Sequence, residues 1–440
     1  MPQRLPNELV DEIISSIAPL PWLFREKRQT LLNCTLVCRD WLPASRHALF
    51  SDVRLTGSAA WDSFRLWVVD AEEGRPWLLS IHHFTFEDRC RNHIIDGKTV
   101  LAEPISGWRG QYVIPVLAGH LPNLESLFLT VDWARCEPHP TTFGLFAQFT
   151  SLRRVEFWEC QLPSFGTFRR TLVSFPALKH LICNDVHWPS APQPSILAIR
   201  SEHPTLETLR IDISCRCCTL ALLEWLICTP TRSTLVRLDL HPGSPGTAPH
   251  QHRVSLPRPN FDYYAQIFAP SLRRACFDQT QKTDDATTSI SLSAFRNLSV
   301  LELRVDGTDW SDVASMLRLL PSRLDTLLIP VFYRQSVMDN DRLVKEDGEL
   351  KPMKTNELAL LDPVLSCDNF KDLRHLSFQL MGYHDTLPAY RESTLETIRR
   401  KLPTSYSRES LKIDLDLVCF DRFLPDSPVA EDRESVQPTA

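Results

Sequence analysis

Between residues 8 and 18 the apolar positions Leu9, Val10, Ile13, Ile14 and Ile17 interleave with Asp11, Glu12, Ser15 and Ser16 at helical spacing. On a wheel of about 100° per residue the apolar side chains run from Leu9 through Ile13, Ile17 and Val10 to Ile14, an arc of roughly 140°. Pro6 stands where a first helical turn tolerates a missing N–H, and Glu8, Asp11 and Glu12 lie near the positive end of the helix dipole. The run Ala18-Pro19-Leu20-Pro21 stops the helix, since proline disfavours helical backbone at the residue before it. A second helix is predicted over 27–41 (KRQTLLNCTLVCRDW), with Leu32, Leu36 and Val37 on one side, and a third over 44–50 (ASRHALF). So short a segment buries little alone, because cores below about 40–60 residues are marginal without help. The wide apolar arc therefore calls for cover from elsewhere.

From residue 120 the pattern changes to alternation in a recurring unit of the form L-x-x-L-x-L, usually preceded by proline or an aromatic residue. Copies include LPNLESLFL (121–129), FTSLRRVEF (149–157), FPALKHLIC (175–183), HPTLETLRI (203–211), TLVRLDL (234–240), APSLRRACF (269–277), FRNLSVLEL (295–303), SRLDTLLI (322–329) and FKDLRHLSF (370–378). Their first leucines are spaced by 28, 26, 28, 29, 37, 26, 26 and 49 residues. A strand followed by a helix or helical turn needs about that many residues, and stacking such units buries a continuous core. Helical spacing in 167–175, 218–228 and 310–320 agrees, and LKIDLDLV (411–418) reads as a last strand. The two long intervals hold inserts, proline-rich 242–260 and charged 334–357, which read as surface loops. Residues 52–119 read as divergent first repeats, and 425–440 has too little to bury to fold.

Composition narrows the function. Hydrophobic residues make up 43% of the 440, enough for a sizeable core, and the net charge of −6 offers no electrostatic reason for a nucleic-acid or anionic-membrane partner. No apolar run reaches bilayer-spanning length, and Arg4, Glu8, Asp11 and Glu12 are unlike a secretory leader, so the expected location is cytosol or nucleus, with the 13 cysteines reduced. Only 13 glycines against 33 prolines leave few of the flexible turns that nucleotide sites use.

The N-terminal residues Leu5-Pro6, Glu8-Leu9, Ile13, Leu32, Leu36-Val37-Cys38-Arg39, Trp41 and Leu49-Phe50 resemble the F-box over roughly 4–51. The repeats resemble irregular leucine-rich repeats, a combination common in fungal F-box proteins. The resemblance implies an α/β architecture: a three-helix F-box-like domain at 1–51, then a leucine-rich-repeat-like solenoid at 52–424 with parallel strands on one face and helices on the other. It further implies a non-catalytic substrate receptor of a Skp-cullin-F-box ubiquitin ligase, with a Skp-type adaptor and a cullin as partners and a protein target on the repeats. By position, Leu5, Pro6, Leu9, Ile13, Leu36, Val37, Cys38 and Trp41 would face the adaptor. The alternative is that these residues form the internal core of a capping subdomain, and the chain is a protein-binding scaffold unconnected with ubiquitin.

Chemistry is sparse. The serine-hydrolase elbow, the P-loop, the dinucleotide fingerprint and the H-E-x-x-H zinc motif are all absent from the sequence, and no cofactor is expected. Cys215 and Cys218 have C-x-x-C spacing, and Cys90 and His93 have C-x-x-H spacing, but neither pair has a mate at suitable distance along the chain, so no metal site is expected. Cys38 lacks the electropositive setting of a reactive thiol and reads as a packing residue. Binding surface remains. In L-x-x-L-x-L the third and fifth positions alternate away from the core. The third are Ser126, Arg154, His180, Thr208, Arg237, Arg274, Val300, Thr326 and His375, and the fifth include Phe128, Glu156, Arg210 and Asp239. Arg154, Arg210, Arg237 and Arg274 with Phe128 and Trp158 are candidate target contacts, because arginine and aromatics are enriched at hot spots. A solvated charged face is the alternative.

Overall fold

The structure is a computed structural model that describes residues 5–17, 24–87, 92–95, 98–101, 110–134, 137–189, 203–213, 215–241, 261–278, 291–305, 310–332, 355–382 and 387–419. The insert at 242–260, most of that at 334–357, the tail at 425–440 and Cys90 lie outside them. Two compact units divide the chain, Met1–Glu302 with Met316–Leu324, and Leu303–Ser315 with Asp325–Ala440.

The first unit opens with helices α1 (Asn7–Ile17), α2 (Phe24–Thr35) and α3 (Leu42–Ser51). Val10, Ile14, Leu31 and Cys34 form their small core, with Ile17, Trp41, Ala44, Ala48 and Leu49 packed against it. The second helix is shorter than the predicted 27–41. After Thr35 the chain tightens, Leu36 N–H donating to Asn33 O (3.0 Å) and Val37 N–H to Cys34 O (3.2 Å), three residues back instead of four. Leu36, Val37 and Cys38 thus sit in a turn. Helix α3 starts at Leu42, two residues before the predicted 44, because Pro43 is tolerated in a first turn.

Strands then succeed one another in chain order: β1 (Asp52–Thr56), β2 (His83–Glu87), β5 (Ser126–Thr130), β6 (Arg154–Trp158), β7 (His180–Asn184), β8 (Thr208–Asp212), β9 (Arg237–Leu240) and β10 (Arg274–Asp278), each parallel to the next. Between β2 and β5 an antiparallel hairpin, β3 (Asn92–Ile95) and β4 (Lys98–Leu101), interrupts a region read as divergent repeats. Alternation decides the faces. Leu127, Val155, Phe157, Leu181, Leu209, Leu238 and Phe277 are buried toward the helical side. Helices Pro140–Phe146, Phe165–Val173, Arg216–Leu226 and Phe261–Phe268 cover that side, with Phe157 edge-on to Phe168 at 5.4 Å and Phe165 edge-on to Trp225 at 6.0 Å. Helix Phe165–Val173 begins before the predicted 167 because Ser164 caps it, its Oγ accepting from Thr167 N–H at 3.1 Å. This unit is a leucine-rich-repeat-like α/β solenoid behind three N-terminal helices.

The second unit repeats the alternation with parallel strands β12 (Thr326–Phe332), β13 (His375–Gly382) and β14 (Lys412–Cys419). Residues of β11 (Val300–Arg304) are divided between the units. Trp310 meets Phe378 edge-on at 6.1 Å in this unit's core. Thr355–Leu358, the end of the predicted insert at 334–357, is helical. Among the described residues no helix is long and apolar enough to cross a membrane.

Candidate functional site

The apolar arc of α1 is wider than the core beneath it. Val10 and Ile14 point inward and are 2% and 3% exposed, whereas Leu9 and Ile13, at the other edge of the arc, are 44% and 39% exposed. Leu5 and Leu32 are also exposed, and the α2–α3 turn adds Leu36 at 83% and Val37 at 60%. Burying a wholly exposed side chain of this kind is worth about 1.5–3 kcal/mol, and proportionally less where it is already partly covered. Pro6 and Cys38 are exposed too. Cys38 is therefore not the packing residue expected from its apolar neighbours in sequence, since the turn carries it out of the helix. Trp41 is half-buried and packs against the small core.

On the open face of the sheet, register sorts the target-contact candidates. Arg154, Arg237 and Arg274 share one row, running Ser126–Arg154–His180–Thr208–Arg237–Arg274 from β5 to β10. Phe128 and Arg210 belong to the next row, and Trp158 to the one beyond. At about 4.8 Å per strand, Arg154 lies roughly 14 Å from Arg237, so the six candidates form two groups. In one, Phe128 stacks on Trp158 with centroids 5.7 Å apart beside Arg154. In the other, Arg210, Arg237 and Arg274 follow one another on adjacent strands.

Three of the four arginines, Arg154, Arg237 and Arg274, are already partnered. Arg154 Nε donates to Glu156 Oε1 at 2.7 Å, and Arg237 grips the buried Asp239 through Nε and Nη2 at 2.6–3.1 Å. Arg274 lies 3.8 Å from Glu302. An acid two residues along the strand, or on a following one, occupies the same face and turns the expected cationic patch into a row of neutralised pairs. Arg210 Nε and Trp158 Nε1 are buried with no hydrogen-bond partner among the described residues.

A third feature was not visible in the linear sequence. Cys215 and Cys218 have a mate after all: His187, one repeat earlier, offers a ring nitrogen within 4.8 Å of both sulfurs. The signal that could have found it is the VHW segment just past β7, one repeat upstream of the cysteine run. Cys160, two residues past the end of β6, is buried, and its thiol donates to Leu129 O at 3.3 Å.

No protein-family profile matches the chain, and no curated protein matches it. Among solved structures, an internalin (inlF) from Listeria monocytogenes is similar over 93% of this chain and 94% of that one, with 11% identity and a TM-score of 0.31. The leucine-rich repeat-containing protein LegL7 from Legionella pneumophila is similar over 84% of this chain and 91% of that one, with 11% identity and a TM-score of 0.35.

Proposed function

We propose that the chain is a non-catalytic receptor subunit of a Skp-cullin-F-box ubiquitin ligase, docking a Skp-type adaptor on its N-terminal helices and a protein target on the open face of its repeats. The observation that carries this reading is the uncovered half of the α1 arc, Leu9 and Ile13, with Leu5 just before the helix and Leu36 and Val37 in the turn after α2. Five apolar side chains left in water by the chain's own fold match the anchors of helix-in-groove recognition, in which a partner's cleft removes them from solvent. The F-box resemblance supplies the identity of that partner. Held this way, a target lysine would meet the ubiquitin-charged enzyme at raised effective concentration, and the receptor would break no bond itself.

The alternative keeps the repeats as a protein-binding platform without ubiquitin, and the neutralised arginine row is compatible with either. Co-purification decides between them. The Skp-type adaptor is expected to copurify with the full chain and to be lost with Leu9→Asp plus Leu36→Asp, both surface positions whose change spares the core. An adaptor that never copurifies, or that is retained by this double variant, leaves the platform reading in its place.

A further inference from the structure

We propose that His187, Cys215, Cys217 and Cys218 form a Cys3His site for a single zinc ion, which ties the loop after β7 to the helix that follows β8. One donor atom from each of His187, Cys215 and Cys218 lies within 4.8 Å of the other two. A tetrahedral ion with bonds of about 2.3 Å to sulfur and about 2.0 Å to nitrogen holds its ligand atoms roughly 3.5–3.8 Å apart, so small side-chain rotations close the triangle. Cys217 Sγ sits 2.7 Å from Cys215 Sγ, beside the triangle of the other three donors, and a turn of its side chain would bring it in as the fourth. Sulfur and imidazole donors select zinc over the oxygen-seeking magnesium and calcium.

The backbone fixes these positions before any ion arrives. His187 is bridged to Gln161, its N–H donating to Cys160 O at 2.8 Å and its carbonyl accepting from Leu162 N–H at 2.8 Å. Cys215 is the N-cap of helix Arg216–Leu226, and its carbonyl accepts from Thr219 N–H at 3.1 Å. Cys218, in the first turn of that helix, is buried. Asp185 completes the arrangement. Its Oδ1 lies 2.7 Å from His187 Nε2, so Nε2 carries the proton and Nδ1 is left to coordinate, the carboxylate–histidine–metal geometry typical of zinc sites. Asp185 reaches this position with φ at 53°, a left-handed conformation that aspartate adopts more readily than most residues.

Purified full chain, expressed with zinc and stripped of loose metal by gel filtration, is expected to retain about one zinc per chain. Replacing that ion with cobalt(II) should produce the intense thiolate-to-cobalt absorption of a sulfur-rich tetrahedral site. Cys215→Ser with Cys218→Ser, and separately His187→Ala, should lose the zinc, while Cys228→Ser, just past the far end of that helix, keeps it. A wild-type chain that holds no zinc and gives no cobalt–thiolate band, with Cys215, Cys217 and Cys218 found by mass spectrometry as free thiols or as a disulfide, overturns the assignment. The wild-type spectrum decides the matter even where a variant fails to fold.

Discussion

At the scale of single residues, polar groups inside the second unit are matched closely to backbone. Asp362 accepts from Ser405 N–H (2.9 Å), Ser405 Oγ (2.8 Å) and Thr404 N–H (3.1 Å), capping the short helix Pro403–Tyr406 from a distant part of the chain. Burial pushes this carboxyl up, but the hydrogen bonds from Ser405 and Thr404 outweigh it and hold the group below its ordinary value. A carboxylate depressed by folding contributes stability above its unfolded pKa of about 3.9, and that contribution is lost as pH falls through the folded value. Asp362→Asn should therefore cost about 1–3 kcal/mol at neutral pH, and the gap between variant and wild type should narrow in acid below about pH 4. Urea denaturation at several pH values checks both parts, and a gap unchanged in acid would show that the charge is not what matters. The thiols offer a second test. Burial drives Cys160 up to about 12 and raises Cys183 as well, whereas Cys38 and Cys367 lie on the surface. Alkylation of the native chain near neutral pH should label Cys38 and Cys367 well before Cys160 and Cys183, as peptide mass spectrometry will report. Early labelling of Cys160 would mean that the strand ends around it open readily.

At the scale of elements, α1 shows why one periodicity can serve two surfaces. The wheel places Leu9 and Ile13 at one edge of the arc and Val10 and Ile14 at the other, and the small core takes only the second pair. The arc's width was legible in the sequence, but which half turns inward depends on where α2 and α3 lie. The two halves should respond differently to charge. Val10→Asp buries an unpaired carboxylate and should unfold the three-helix segment, visible as lost helicity by circular dichroism, whereas Leu9→Asp should leave helicity intact. Equal loss in both variants would mean that Leu9 is covered in solution. The end of α2 escaped the sequence reading because Leu36 and Val37 continue the helical spacing of Leu32, while the tightening after Thr35 is set by local hydrogen bonds. Strand positions were easier, since L-x-x-L-x-L repeats the same inward leucines in copy after copy. The open face was harder: pairs such as Arg237 with Asp239 lie two residues apart and could be read as neighbours, but not as a buried carboxylate gripped by two guanidinium nitrogens. His187 and Cys215 were further out of reach, for their meeting depends on the bridge that sets the loop after β7 against Gln161.

At the scale of the whole molecule, a chain of parallel strands stacked in sequence order makes stability a matter of neighbours. Each repeat buries its inward side chains mainly against the repeats before and after it, so damage should spread by steps and fade with distance. Phe157 on β6 tests this. It is fully buried, lies edge-on to Phe168 of the same repeat, and pairs in register with Leu129 on β5 and Cys183 on β7. Phe157→Ala removes a large core side chain, at a cost of about 3–5 kcal/mol. Followed by hydrogen exchange and mass spectrometry, protection should fall most in β6, clearly in β5 and β7, and little in β12 to β14, whose residues belong to the other unit. A uniform loss across all strands would instead show the chain unfolding as one cooperative block, and the independence that a stack of repeats implies would have to be given up. The same experiment in the presence of zinc bears on how far the damage travels past β7. An ion joining His187 to the helix after β8 adds a link between successive repeats that strand pairing alone does not supply, so protection in β8 should survive Phe157→Ala better with the metal bound than after its removal.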